Sequence, residues 1–98
     1  MDPFDMDRRL QDRWPLATKV TAMGLEGDHF GNIYDLQALD CGFKGMGALS
    51  GHHVPTGSLF TLSFEHSGYR PVHGRVVTCT AGDDGYRLGF RFERPLAA

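Results

Sequence analysis

The sequence predicts an all-β domain, a small barrel or sandwich, and three observations carry that expectation. Six short segments rich in strand-forming residues are separated by turn signals. The chain holds 13 glycines and 5 prolines in 98 residues, which favours short strands and many turns over long helices. Towards the C-terminus, large apolar residues recur at every second position, the period of a strand with one buried face. A chain of this length makes one domain.

The elements follow in order. Residues 1–14 are expected to form a flexible N-terminal arm, with the barrel domain running from 15 to 98. Pro15 pushes Trp14 towards extended geometry. Residues 18–23, Thr-Lys-Val-Thr-Ala-Met, alternate and predict a strand, which Gly24 and Gly27 interrupt. A second strand is expected within 32–39 and a short apolar segment after Gly47. Residues 59–65 place Phe60, Leu62 and Phe64 on one face and Thr61, Ser63 and Glu65 on the other. Residues 66–71 read as a loop. Residues 73–79 are rich in β-branched side chains and are expected to be partly buried on both sides. Gly82-Asp-Asp-Gly85 signals a hairpin. Beyond it Tyr86, Leu88, Phe90 and Phe92 alternate with Arg87, Gly89, Arg91 and Glu93. After Pro95 too little chain remains for a helix. Inward apolar residues of this kind fill a small barrel, and closure removes sticky sheet edges.

Charge narrows the function classes. The net charge of −2 argues against non-specific binding to nucleic acid or to an anionic membrane. Any anion must therefore be held by a local basic cluster. No run approaches the ~20 apolar residues of a membrane span. The acidic start, Met-Asp-Pro-Phe-Asp-Met-Asp, lacks an apolar leader, so a cytoplasmic protein is expected. Cys41 and Cys79 are isolated thiols, and nothing in their spacing asks for a disulfide. His52 and His53 are neighbours without a carboxylate at ligand spacing, so no metal site is expected. Ser50 lacks the spacing of a nucleophile elbow. No catalytic residues and no cofactor are expected.

Residues 40–47, Asp-Cys-Gly-Phe-Lys-Gly-Met-Gly, concentrate the polar chemistry. Three glycines in six residues permit positive φ and close approach to the main chain. Asp40 at the head can accept bonds from backbone N–H groups of the turn it opens. Two readings stand open: a bulged hairpin relieved by its glycines, or a turn offering amides and a carboxylate to a polar ligand. Lys44 either attracts phosphate or only keeps the loop soluble. Upstream, Arg8-Arg-Leu-Gln-Asp-Arg13 supplies three guanidinium groups.

These features together resemble the PilZ domain, a family of bacterial receptors for cyclic di-GMP. Arg9-Leu-Gln-Asp-Arg13 is similar to the family's Arg-x-x-x-Arg motif. Asp40-Cys-Gly-Phe-Lys-Gly45 is similar to its Asp/Asn-x-Ser-x-x-Gly motif, with Gly42 where the family has serine. Val54-Pro-Thr-Gly57, Gly74-Arg-Val-Val77 and residues 85–92 follow in family order. The resemblance implies a six-stranded antiparallel barrel whose arm closes over 40–45 when ligand arrives. It implies cyclic di-GMP contacts from Arg9, Arg13, Asp40, Gly42 and Gly45, with Arg8 and Lys44 as secondary contacts. An Arg fork matches guanine O6 and N7 and forms paired bonds with phosphate. The signal is then expected to pass to an unidentified effector protein by contact, from a monomer or weak dimer. The alternative is a degenerate adaptor of the same fold that works through partner proteins without cyclic di-GMP.

Overall fold

The computed structural model describes residues 13–66 and 68–96. Among these the regular elements are seven strands and one turn of 3-10 helix. They are β1 (Arg13–Pro15), β2 (Lys19–Gly24), the 3-10 turn (Gly27–His29), β3 (Ile33–Gly42) and β4 (Gly45–Ser50). The chain continues with β5 (Leu59–Phe64), β6 (Val72–Gly82) and β7 (Gly85–Phe92). The sheet runs β3-β2-β5-β6-β7-β4, and β4 pairs back with β3. All these pairings are antiparallel. The result is the closed six-stranded antiparallel barrel that the resemblance implied.

β1 lies in line with β2. β2 covers β3 from Ile33 to Gln37, and β1 covers the same side from Asp40 to Gly42. Between them Leu16 donates its N–H to the Leu39 carbonyl, and Ala38 donates to the carbonyl of Thr18. Arg13 and Trp14, placed in the arm by the sequence reading, are therefore in the ladder here. Trp14 sits opposite the buried Cys41 and packs half-buried against the core, its ring edge-on to Phe43 at 5.3 Å.

The core follows the period-two alternation. Phe60 and Leu62 from β5, Leu88 and Phe90 from β7, and Val20 from β2 are all nearly fully buried. Phe60 meets Phe90 edge-on at 6.2 Å, a favoured arrangement for packed rings. Leu96, beyond the last strand, is also buried and donates its N–H to the Phe43 carbonyl. The tail thus seals the barrel against the β3–β4 turn, a role its brevity concealed.

Two expectations need correction. β6 is longer than the 73–79 segment, and it is buried on one face only. Val72, Gly74 and Val76 point inward, while His73, Val77 and Thr78 are exposed. A register shift between Val76 and Thr78 places Val77 on a bulge, half-exposed. Residues 40–47 are the end of a bulged hairpin, its register shifted between Ala38 and Asp40, rather than one glycine turn. β3 continues to Gly42 and β4 starts at Gly45, so the reversal is confined to Phe43 and Lys44. None of Gly42, Gly45 and Gly47 has positive φ.

Both cysteines are free thiols, Cys41 buried and Cys79 partly buried. Burial pushes the Cys41 thiol above its ordinary pKa, against a smaller opposing pull from the Gly42 backbone contact and Arg13. The raised value keeps Cys41 protonated at neutral and mildly alkaline pH, and the thiolate is the reactive form. Titration of the native protein with a disulfide reagent at mildly alkaline pH should therefore modify Cys79 first. Cys41 should react only on unfolding. Equal rates for the two would show that the barrel opens at Cys41.

Candidate ligand-binding site

β1 positions the first functional side chain. Arg13 pairs with Gly42 and Pro15 pairs with Asp40. Diagonal neighbours on adjacent strands share a face. The Arg13 guanidinium therefore reaches Asp40, its Nη2 donating to Oδ1 at 2.6 Å. The same oxygen accepts the Gly47 backbone N–H at 3.1 Å. Arg87 approaches the other carboxylate oxygen at 3.7 Å. Asp40 thus accepts a backbone N–H, as its sequence position predicted, but across the β3–β4 ladder rather than within a turn.

Glycines make the floor. Gly45 and Gly47 alternate with the core residues Met46 and Ala48 on β4 and are themselves buried, while Gly89 on β7, directly opposite Gly47, is partly exposed. A Cβ on Gly47 would sit 3.2 Å from the Asp40 carboxylate, and one on Gly89 would collide with the Thr78 hydroxyl. The missing side chains are what let Asp40 and Thr78 lie down over the sheet. A Cβ on Gly45 would run into the Phe90 carbonyl oxygen. Gly45 therefore allows β4 and β7 to approach closely where it pairs with Arg91.

The outcome is an open groove of about 470 Å³ lined by Arg13, Gly42, Phe43, Lys44, Gly45, Val77, Phe90 and Arg91. Of the residues expected at the site, Arg13, Gly42, Lys44 and Gly45 line it, and Asp40 borders it through Arg13. Arg8 and Arg9 lie outside the described residues. Arg87, Arg91, Phe43 and Val77 belong to the same neighbourhood but were not singled out from the sequence. Arg87 and Arg91 were visible as the outward side of an alternating strand. Only the β4–β7 register brings them beside Asp40 and Gly45.

The groove is cationic, with an exposed aromatic edge. Arg13, Lys44 and Arg91 line it, and Arg13 and Arg87 both approach the Asp40 carboxylate at its border. Phe43 is half-exposed, with Trp14 behind it. Arg13 and Asp40 retain 49% and 30% side-chain exposure, and an exposed pair of this kind is worth only ~0.2–1 kcal/mol. Arg13 can therefore trade its bond to Asp40 for one to an anionic or guanine-like ligand at small cost. Elsewhere, among the described residues, no group of three or more His, Cys, Asp or Glu comes together to hold a metal. His52 and His53 are exposed and lie beside Tyr34 and Tyr86 instead. Among the described residues no helix is long and apolar enough to cross a membrane.

A closed six-stranded antiparallel barrel with a glycine-floored basic groove on its outer wall is the architecture of a binding domain. The chain belongs to the PilZ domain family, whose model matches residues 7–98. Among solved structures it is similar to the PilZ domain with c-di-GMP of YcgR from Escherichia coli. That match has a TM-score of 0.61 and 17% identity, covering 83% of this chain and 74% of the other. At that identity the likeness speaks for the fold. No curated protein matches the chain.

Proposed function

We propose that this chain is a non-catalytic receptor domain for cyclic di-GMP. The carrying observation is the Arg13–Asp40 pair, held by β1 against β3 at the edge of the glycine-floored groove. It presents an exchangeable guanidinium beside a carboxylate fixed by a backbone N–H. Arg13 grips guanine O6 and N7, or a phosphate, through its fork. Asp40 accepts from guanine N–H groups once Arg13 turns away. Lys44 and Arg91 draw in the phosphates, and Phe43 offers a ring face to a base. Family membership supports the ligand class.

Gly42 lacks the serine hydroxyl of the family motif, which forfeits ~0.5–1.5 kcal/mol. Its place in the β1–β3 ladder, opposite Arg13, holds the main chain in shape without that hydroxyl. Arg9 and Arg8, upstream of β1, add further donors as the arm orders over the bound ligand. That ordering creates a new surface for an effector protein in the cytoplasm, a disorder-to-order switch.

Calorimetric titration with cyclic di-GMP should give a dissociation constant in the micromolar range or tighter, weakening as salt is raised. In an amide NMR titration the largest shifts should fall on Arg13, 40–47 and Arg91, with those of 8–12 changing as the arm closes. Absence of heat and of shifts at high micromolar ligand would leave the adaptor reading in its place.

A further inference from the structure

We propose that the free edge of β6 pairs with the same edge of a second copy, giving a weak two-fold dimer. β6 spans Val72–Gly82, but β5 covers it only from Val72 to Arg75. Val76 is the last residue engaged on that side, donating to the Ser58 carbonyl and accepting from the Gly57 N–H. Gly57, at φ 91°, then turns the neighbouring chain away. Beyond this point 78–82 pair with β7 on one side and with no described residue on the other. In an antiparallel ladder, alternate residues turn their N–H and C=O to the opposite edge. Here no described residue covers that edge.

Exposed edges are normally protected by charges, prolines or cover. Residues 77–82 read Val-Thr-Cys-Thr-Ala-Gly, without a charge or a proline. Thr78, Thr80, Ala81 and Gly82 are exposed, and Val and Thr suit a strand.

Charge selects the occupant. The free run is centred on Thr80, so antiparallel self-pairing sets Thr80 against the partner's Thr80 and Thr78 against the partner's Gly82. Facing threonines are a favourable cross-strand pair. The same two-fold carries the partner's Asp83 and Asp84, at the acidic hairpin tip, alongside Val77. Val77 lines the groove with Arg91, Arg13 and Lys44. Acid is thereby brought towards the basic groove at both ends of the pairing, so charge favours a second copy over a neutral strand. A five-residue ladder falls well below the size of a stable interface, hence a weak dimer.

Sedimentation equilibrium over a rising concentration series should show reversible dimerisation that weakens with salt. Thr80→Lys places like charges across the two-fold, so association should fall roughly fivefold or more. Thr80→Cys in a Cys79→Ser background should form a disulfide-linked dimer much faster than Ser63→Cys in the same background, since Ser63 is exposed on β5. A concentration-independent monomer, or equal cross-linking of the two variants, overturns the proposal. So does strong protection, in the dilute monomer, of those amides within 78–82 whose N–H points away from β7, which would mean that the chain covers its own edge.

Discussion

Replacing Arg13 with alanine is expected to weaken cyclic di-GMP binding by roughly 10- to 150-fold while leaving the barrel nearly as stable as before. Bonds from a charged donor are worth ~1.5–3 kcal/mol each, which converts to that range of affinity. The same side chain contributes little to the fold, because its pair with Asp40 is half-exposed and worth ~0.2–1 kcal/mol. Arg13→Lys should fall between, since an ammonium keeps the charge but loses the fork. Asp40→Asn separates the two functions of the carboxylate. It keeps an acceptor for the Gly47 N–H but loses the charge facing Arg13 and Arg87. Calorimetry for affinity and thermal melting for stability check both variants. If Arg13→Ala binds like the parent, Arg13 is not a ligand contact and the groove serves another partner.

The late strands were legible because each states its inner face in its own alternation. Phe60 and Leu62, or Leu88, Phe90 and Phe92, need no knowledge of their neighbours to be placed inside. The stretch around Gly42, Gly45 and Gly47 was not legible in that way. Glycine has no side chain to show a face, so strand residues at these positions read as a turn. Arg87 and Arg91 were hidden for a different reason. Their outward direction was clear, but the pairing of β4 with β7 is a long-range fact that neither strand encodes alone. Arg13 and Asp40 were picked for their chemistry and prove to be joined. The joint depends on β1 pairing with β3, and Pro15 had suggested only an extended arm. Proline at the end of an edge strand removes no bond that the ladder needs.

Gly45→Ala is the substitution expected to harm the fold and the groove together. Its Cβ would meet the Phe90 carbonyl oxygen, part of the backbone of the adjoining strand. A flexible side chain could swing aside, but a carbonyl held in a ladder moves only with its strand. β4 must then separate from β7 where Gly45 faces Arg91. Overpacking of this kind costs ~1–3 kcal/mol, and each kcal/mol lowers the melting temperature of a domain this size by roughly 4–8 °C. Gly51→Ala is the matched control, because nothing lies within 4 Å of its added Cβ; it should be neutral or slightly stabilising. The displacement also moves Arg91 away from Arg13 across the groove. Affinity measured on fully folded Gly45→Ala protein should therefore drop even at temperatures well below its melting point. A melting temperature equal to that of Gly51→Ala would show that β4 and β7 do not approach so closely, and the groove would lose its floor.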